Sequence, residues 1–469
     1  MAKHVHLIGI CGTAMATLAA MLRARGYDVR GSDHHVYPPM SDFLRGEGIT
    51  LLDGYDAAHI SADLDLVVVG NAISRGNAEL EEVLDRKIRF CSLPEAIRDH
   101  FLWGARSIVV AGTHGKTTTT SLVGWTLTSG GLDPSVLVGG ITANFNSSYR
   151  LGQGRQFVIE GDEYDSAFFD KTAKFLKYLP DVAIVGNLEY DHADIYPDMD
   201  ALRLAFRRFV NLVPRRGLLL VGADSPEAMA LADGAHAKVE TFGLSDGATW
   251  QAHSIEPGPE GTRFSVRRRG EPYGQMALPM FGEFNVRNAL AAIAVADGEG
   301  MSPHAVGEAL REFKGVKRRM QLRGTAAGVS VYDDFAHHPT AIAETLRGVR
   351  SAFPDRRIWA VFEPRSATSC RRVFQDDFAR AFASEPVHRV ILAAVFRASL
   401  PEGERLSAGQ LVSDLTAAGV RAEHIPAVDD IVARIAGEAE AGDLVVGMSN
   451  GGFEDFHNKL LAALGARAA

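Results

Sequence analysis

The feature that most constrains the fold is a repeated alternation of short apolar runs with longer amphipathic stretches. Runs such as HVHLIGI (4–10), SIVVAG (107–112) and DLVVGMS (443–449) are rich in β-branched residues. Continuous apolar strands of this kind are typical of sheets covered on both faces. The stretches between them are long enough for helices that cross over a sheet. The pattern therefore predicts an α/β protein built on parallel sheets.

The length of 469 residues predicts several such units, because a domain takes about 150 residues. Two segments, DHFLWGARS (99–107) and FKGVKRRMQLRG (313–324), each separate a helical stretch from a new strand. We predict a Rossmann-like N-terminal domain at 1–105, a central domain at 106–320 with a parallel sheet of the phosphate-loop ATPase kind, and a Rossmann-like C-terminal domain at 321–469. In the central domain HAKVETFGL, TWQAHSIEP and TRFSVRRRGEP read as a small antiparallel addition.

Composition excludes several classes of function. The chain carries 49 basic and 58 acidic side chains, a net charge of −9, so no excess of cations is available for a nucleic-acid partner. Three cysteines, Cys11, Cys91 and Cys370, are too few for a disulfide framework or a four-thiolate zinc site. No signal peptide is evident, and no apolar run reaches the ~20 residues of a membrane span. We expect a cytoplasmic protein without membrane insertion.

The strongest local motif is GTHGKTTTT, which runs from Gly112 to Thr120 directly after a predicted strand. Backbone amides of such a turn, and the start of the helix that follows, attract phosphate oxygens. Lys116 is then expected at the β- and γ-phosphates, and the Thr117 hydroxyl at Mg²⁺. The turn is two residues shorter than the common phosphate loop, and a chance Gly-Lys-Thr is the alternative. The flanking strand and helix favour a mononucleotide site.

Acidic side chains follow two further predicted strands of the central domain. FVIEGDEYD (157–165) supplies Glu160 and its acidic neighbours, and IVGNLEYDHAD (184–194) supplies Asp191 and His192. The carboxyl ends of parallel strands meet at one edge of a sheet, where α/β proteins bind ligands. An acidic cluster alone is more often a solvated turn, but beside a phosphate loop it predicts a site for Mg²⁺, which prefers oxygen ligands.

The first domain opens on another glycine pattern, LIGICGTAM, with Ser32 and Asp33 at the end of the next predicted strand. It resembles a dinucleotide fingerprint, except that Met15 stands at the third glycine position. We predict a nucleotide diphosphate here, with a purely structural turn as the alternative. In the third domain YDDFAHHPTAI (332–342) gathers aspartates and histidines before a helix, where Asp334 could be a simple N-cap. The basic VKRRM (316–320) could supply an arginine to a phosphate between domains.

Taken together and in order, AGTHGKTTT, EGDEYD, NLEYDHAD, FNVRNALAA, GVKRRMQ and YDDFAHHPTA resemble the Mur ligase family. These are three-domain, ATP-dependent enzymes of bacterial cell-wall synthesis. The resemblance implies ATP as co-substrate, Mg²⁺, and UDP-N-acetylmuramate as the carboxylate substrate. GSDHHVYPPMSDFL, DEYDSAFFDK and EPRSATS resemble the branch of the family that accepts the murein tripeptide L-alanyl-γ-D-glutamyl-meso-diaminopimelate. Free L-alanine is the alternative acceptor.

The resemblance also assigns site residues. It implies that ATP is bound by Gly112, Thr113, His114, Gly115, Lys116, Thr117, Thr118, Asn288, Arg319 and Asp334. Asn288 would contact adenine, Asp334 the ribose and Arg319 the γ-phosphate. It implies a metal held by Thr117, Glu160 and His192, and catalysis by Lys116, His192 and Arg319. It implies that the uridine diphosphate lies at Gly9, Gly12, Ser32, Asp33, Asn71, Ala72 and Arg75.

Charge complementarity suggests where an acceptor carrying both a carboxylate and an ammonium group would bind. The candidates are Glu363, Arg365, Ser449 and Asn450, at two strand ends of the third domain, and the resemblance adds His337 as a further substrate contact. The alternative is that Glu363 and Arg365 merely pair with each other. We expect a monomer or weak homodimer. The competing classes are an NAD-dependent oxidoreductase, which leaves GTHGKT unexplained, and a nucleotide switch, which predicts slow ATP hydrolysis that a sugar-nucleotide carboxylate does not affect.

Overall fold

Three sheets follow one another along the chain, and each is built mainly from parallel strands. They are seen in a computed structural model that describes residues 3–34, 36–37, 40–191, 195–396 and 400–468. A mixed α/β architecture with three sheets confirms the predicted fold class. Within the described ranges no helix is both long and apolar enough to cross a lipid bilayer.

The first sheet has five parallel strands in the order β3-β2-β1-β4-β5. The Asn77 side chain caps α3, and a capping box at Ser92 and Glu95 starts α4. A π-helical turn, Arg98–Leu102, follows α4 and leads to the second sheet. The elements are β1 (His4–Ile8), α1 (Thr13–Ala24), β2 (Asp28–Asp33), α2 (Met40–Gly46), β3 (Thr50–Asp53), β4 (Leu66–Val69), α3 (Ala78–Asp85), β5 (Phe90–Ser92) and α4 (Leu93–Ile97), with a 3-10 turn at Ala57–His59.

The second sheet has ten strands in the order β17-β16-β15-β14-β13-β12-β6-β9-β7-β8. Its centre is parallel, and α5 and α8 pack against it. Its elements are β6 (Arg106–Ala111), α5 (Lys116–Ser129), β7 (Ser135–Thr142), β8 (Ser147–Arg150), β9 (Gln156–Glu160), β10 (Asp165–Ala167), β11 (Asp170–Ala173), β12 (Val182–Val185), α6 (Met199–Val210), β13 (Leu218–Gly222), α7 (Pro226–Met229), β14 (Lys238–Gly243), β15 (Trp250–Gly258), β16 (Gly261–Arg268), β17 (Glu271–Leu278), α8 (Glu283–Gly298) and α9 (Pro303–Arg311). The pair β10 and β11 forms a separate hairpin, and Lys174–Lys177 is a 3-10 turn.

One detail of the predicted antiparallel addition is wrong. β14, which contains KVETFG, pairs in parallel with both β13 and β15. Within the addition, β16 runs antiparallel to both β15 and β17. Buried and more exposed residues alternate along β14, and this pattern is typical of an antiparallel strand. In the structure β14 instead extends the parallel part of the sheet by one more strand.

The third sheet has the order β18-β19-β23-β20-β21-β22, with only β18 antiparallel. Helices cover both faces, so two apolar layers form, one around Phe362 and Phe378 and one around Trp359 and Phe456. The elements are β18 (Gln321–Ala326), β19 (Val329–Asp334), α10 (Pro339–Ala352), β20 (Ile358–Phe362), α11 (Gln375–Ala383), β21 (Arg389–Leu392), α12 (Ala408–Ala417), β22 (Ala422–His424), α13 (Val428–Glu438), β23 (Leu444–Met448) and α14 (Phe456–Ala468), with 3-10 turns at Arg372–Phe374 and Phe453–Asp455.

Candidate active site

The phosphate loop joins β6 to α5 and holds its lysine folded back over the turn. Lys116 Nζ donates to the carbonyl of Gly112 at 2.7 Å and to Glu163 Oε1 at 2.8 Å. Burial alone would lower the pKa of Lys116, but the carboxylates of Glu163 and Asp162 raise it. A fixed ammonium group therefore lies at the start of a helix, where a phosphate would bind.

Oxygen ligands converge beside this lysine. Thr117 Oγ1 donates to Glu160 Oε1 at 2.9 Å, and the amide of Gly139 donates to the other Glu160 oxygen at 2.7 Å. Burial raises the pKa of Glu160, and Arg319 Nη2 lies 3.5 Å from the Thr117 hydroxyl. A hydroxyl and a carboxylate suit Mg²⁺, so these residues fit the expected metal. His192, the third predicted ligand, lies outside the described residues.

The predicted adenine and ribose contacts are held by polar networks. Asn288 Oδ1 accepts from Thr119 Oγ1 at 3.1 Å, at the first turn of α5. The buried Asp334 accepts from the amides of Met320 and Ala336 at 2.7 and 2.8 Å, and burial raises its pKa. The N-cap of α10 is His338 and not Asp334, so the simple capping alternative for Asp334 is wrong.

The segment after β12 joins the phosphate loop to the third domain. Glu189 Oε2 accepts from Thr340 Oγ1 at 2.6 Å and lies 3.4 Å from His114 Nε2 and 3.9 Å from His338 Nδ1. Burial opposes ionisation, but the interactions with His114, Thr340 and His338 lower the pKa of Glu189 to about 2. Burial lowers the pKa of His338 to about 4. The ligand atoms of His114, Glu189 and His338 lie within 4.8 Å of one another, so this trio is a second place that could hold a cation.

The imidazole of His337 lies at the same junction between the phosphate loop and the third domain. Its Nδ1 lies 3.0 Å from the carbonyl of Phe335, and the Phe335 ring also lies 4.6 Å from the Arg319 guanidinium. Burial lowers the pKa of His337 to about 4. The residue is therefore neutral near pH 7, beside the arginine predicted to meet the γ-phosphate.

The predicted acceptor residues lie at the ends of β20 and β23. Arg365 Nη1 is 3.6 Å from Glu363 Oε1, and the buried Glu363 accepts from Ser449 Oγ at 2.5 Å. The Arg365 guanidinium lies 3.7 Å from the ring centroid of Phe396. Among the described atoms, the buried Asn450 Oδ1 has no hydrogen-bond partner. Glu363 and Arg365 do pair, yet the arginine also lines the central cleft.

One cleft of about 1720 Å³ brings most of these groups together. Its lining includes Thr113, His114, Gly115, Lys116, Thr117, Thr118, Glu160, Asn288, Arg319, Asp334, His337, Arg365 and Asn450. Gly112, Glu363 and Ser449 are neighbours of these residues and are not part of the lining. The cleft therefore reaches from the phosphate loop to the strand ends of the third domain.

The predicted residues of the first domain lie apart from this lining, which instead takes Thr13, Thr17, Met40 and Phe43. Two hydrogen bonds hold the backbone of the predicted glycine loop. The amide of Gly9 donates to the carbonyl of Ser32 at 2.9 Å, and the amide of Cys11 donates to Asp33 Oδ2 at 2.8 Å. The loop of Gly9 and Gly12 thus lies against the end of β2.

Three predicted side chains of this domain are bound by other residues of the protein. Ser32 is buried and donates to Glu79 at 2.5 Å, and Arg75 forms an exposed bidentate pair with Glu81 at 2.9 Å. Asn71 donates to Asp165 of the central domain at 3.1 Å, and Ala72 beside it is exposed. Neither Ser32 nor Arg75 offers its polar group to the cleft in this arrangement.

Several contacts in the site carry no local sequence signal. Thr340, Thr368 and the pair Thr17–Ser148 all make polar contacts between domains. Each partner is more than 100 positions away. Glu163 stood in an obvious acidic motif, but nothing in its spacing singled it out as the partner of Lys116.

Comparisons with known proteins cover nearly the whole chain. Residues 4–102 match "Mur ligase family, catalytic domain", 110–296 match "Mur ligase middle domain" and 318–451 match "Mur ligase, glutamate ligase domain". An Escherichia coli (strain K12) protein named UDP-N-acetylmuramate–L-alanyl-γ-D-glutamyl-meso-2,6-diaminoheptandioate ligase is 39% identical over 99% of each chain. A crystal structure of a murein peptide ligase from Psychrobacter arcticus is 38% identical over 99% of each chain, with a TM-score of 0.71. A UDP-N-acetylmuramate–L-alanine ligase from Salinibacter ruber is 36% identical over 96% of this chain and 92% of its own.

Proposed function

The chain belongs to the Mur ligase family, and we infer from this premise that it is an ATP-dependent ligase that joins L-alanyl-γ-D-glutamyl-meso-diaminopimelate to UDP-N-acetylmuramate. The reaction forms a carbon–nitrogen bond and serves the recycling of peptidoglycan peptides. The observation that carries the tripeptide acceptor is the 39% identity, across 99% of both chains, to a ligase named for it. Free L-alanine is the second candidate acceptor, because a ligase named for it is 36% identical.

A carboxylate needs activation before it can form an amide in water. We propose that the lactyl carboxylate oxygen of UDP-N-acetylmuramate attacks the γ-phosphorus of ATP, so that ADP leaves and an acyl phosphate forms. The L-alanyl nitrogen then attacks the acyl carbon, the carbon–oxygen bond to phosphate breaks, and the nitrogen loses a proton. Two anions must meet in the first step, so fixed cations at the transferring group lower its barrier.

The central site supplies those cations from its own residues. Lys116 and Arg319 would contact the β- and γ-phosphates, with the loop from Gly112 to Thr118 around them. Both cations line the one cleft, and Arg319 lies 3.5 Å from the hydroxyl of Thr117. Thr117 and Glu160 would hold Mg²⁺, together with His192, and a bound Mg²⁺ would screen the negative charge of the phosphates. Asn288 and Asp334 would orient the adenosine.

The two other substrates would approach from opposite sides of this site. The loop of Gly9 and Gly12 at the start of α1, with Asp33, would hold the uridine diphosphate, and Asn71 would lie between it and the central domain, where its amide contacts Asp165. Arg365 and Asn450 would meet the carboxylate and ammonium groups of the diaminopimelate end, backed by Glu363 and Ser449. We further propose that the enzyme is a monomer or weak homodimer acting in the cytoplasm, where ATP and UDP-sugars are available.

Phosphate release from ATP tests the function directly. The protein is given UDP-N-acetylmuramate with either the tripeptide or L-alanine, and product is identified by mass. We expect release that requires both the sugar nucleotide and the tripeptide. UDP-N-acetylglucosamine, which lacks the lactyl carboxylate, is the matched control and should give no release. Stimulation by L-alanine and not by the tripeptide would overturn the acceptor assignment.

A further inference from the structure

A buried hydrogen bond joins the acceptor side of the cleft to the central domain. Thr368 Oγ1 donates to Asp191 Oδ1 at 2.5 Å, and both residues are buried. The two are 177 positions apart, one after β20 of the third sheet and one after β12 of the second. A hydroxyl bound to a carboxylate in a buried place is a strong and directional contact.

The turn that carries Thr368 also carries the arginine proposed to meet the acceptor. Ser369 Oγ accepts from the amides of Arg365 and Ser366 at 3.0 and 2.9 Å, which fixes the shape of the turn. Of the side-chain hydrogen bonds made by the described residues 363–369, the one from Thr368 crosses to the central domain. Among these bonds, the Thr368 hydroxyl is therefore the one that ties the turn to the segment after β12.

The other end of the hydrogen bond is anchored independently. In the segment before Asp191, Asn187 Oδ1 accepts from the amide of His114 at 2.8 Å, and the amide of Glu189 donates to Thr113 Oγ1 at 2.9 Å. Glu189 is also held by Thr340. Loss of the Thr368 hydroxyl would thus release the turn while leaving this segment and the phosphate loop in place.

We propose that the Thr368–Asp191 hydrogen bond positions the Arg365 turn so that the bound acceptor amine reaches the activated carboxyl. This inference rests on the proposed function, and it makes Thr368 a positioning residue for the second step only. The first step, which uses Lys116 and Arg319, does not involve the turn. The hydroxyl should therefore matter for attack by the peptide and not for formation of the acyl phosphate.

The experiment separates the two steps with two acceptors. Hydroxylamine is small, traps an acyl phosphate as a hydroxamate and needs no contact with the turn, whereas the tripeptide does. For Thr368→Val we expect tripeptide ligation to fall about tenfold or more in kcat/KM, and hydroxamate formation from ATP and UDP-N-acetylmuramate to stay within about twofold. Thr368→Ser keeps the hydroxyl and should retain most of the tripeptide activity.

The possible failures are distinguishable. Equal losses with both acceptors, no loss with either, or a serine variant as impaired as the valine variant would each overturn the positioning role alone. A wild-type protein that forms neither hydroxamate nor peptide product would overturn the proposed function, and this inference with it. Melting temperatures of both variants, measured beside the wild type, show whether the fold is intact.

Discussion

Two loops of this molecule share one spacing and differ in chemistry. GICGT, from Gly9 to Thr13, and GTHGK, from Gly112 to Lys116, each follow the first strand of a sheet and lead into a helix. In the first, Thr13 follows the second glycine and no acidic side chain contacts it among the hydrogen bonds of the described residues. In the second, Lys116 occupies that position and is bound by Glu163.

This difference separates a loop suited to binding a phosphate group from a loop suited to promoting its transfer. Both loops lead into the start of a helix, whose first backbone amides and dipole attract a phosphate group. Only the second adds a buried cation among the carboxylates of Glu160, Asp162 and Glu163, which raise the pKa of the lysine. The same local fold thus suits a diphosphate that stays intact in one domain and a phosphate that is transferred in the other.

The strongest test of this contrast is removal of the lysine. We expect Lys116→Ala to lower ligation by about 100-fold or more, because a preorganised charge at the transferring group is lost. Binding of UDP-N-acetylmuramate, measured by calorimetry, should remain. The matched change in the other loop, Thr13→Ala, removes no charge and should lower ligation far less.

The alanine variant leaves buried carboxylates without their cation, so its stability needs a control. Lys116→Arg keeps the charge and should fold like the wild type while remaining slow, because the guanidinium cannot reproduce the ammonium contact with the carbonyl of Gly112. Turnover near the wild-type rate in a folded Lys116→Ala protein would remove Lys116 from the proposed mechanism.

A smaller effect is expected from the second glycine of each loop. Gly115 has a φ of +81°, and a Cβ there would lie 2.5 Å from Asn288 Oδ1. Gly12 has a φ of −63°, and a Cβ there would meet nothing closer than the Gly9 carbonyl at 3.6 Å. Gly115→Ala should therefore raise the KM for ATP about tenfold and destabilise the fold by about 1 kcal/mol or more, whereas Gly12→Ala should change neither.

Gly26→Ala is the control that separates the cost of backbone strain at a positive φ from the clash of a new Cβ at position 115 with Asn288. Gly26 lies at the exposed end of α1 with a φ of +84°, and a Cβ there would have no described atom within 4 Å. The variant should lose stability by about 1 kcal/mol without any change in the KM for ATP. If Gly115→Ala behaved like Gly26→Ala, the contact with Asn288 would have no role in nucleotide binding.

The sequence predicted the parts of the fold and site that depend on local order. Strand ends of a parallel sheet share one edge, so the motifs alone placed the acidic cluster that contains Glu160 near the phosphate loop, and the family resemblance then singled out Glu160 and Thr117. The continuous apolar runs likewise predicted β1, β6 and β23. β14 was given the wrong direction because an alternating strand at the border of a parallel sheet has the same pattern as an antiparallel one.

The contacts between domains could not be predicted in this way. Thr340 binds Glu189 across 151 positions and Thr368 binds Asp191 across 177, and a lone threonine in a loop has no distinguishing pattern. Ser32 is a related case. Its place in the fingerprint suggested a ligand contact, but the buried Glu79 of a distant helix takes its hydroxyl. Which partner a polar side chain binds depends on the packing between helices and strands. The periodicity of the sequence carries no information about that packing.

The smallest expected effect is on stability, and it concerns the contact between the phosphate loop and the third domain. His114 lies against His338, with ring centroids 4.8 Å apart, and burial lowers the pKa of His338 to about 4 from an ordinary value of 6.5. Between these values the unfolded chain binds the proton that the folded state excludes, so the free energy of unfolding should decrease as the pH falls from 6.5, by up to about 1.4 kcal/mol per unit. Asn at 338 keeps an N-cap acceptor for Thr340 but cannot titrate, so His338→Asn should reduce the fall in stability between pH 7 and pH 5.5, measured by urea unfolding. His304→Asn, at an exposed histidine, is the matched control, and an equal reduction in both variants would remove His338 as the source of the pH dependence.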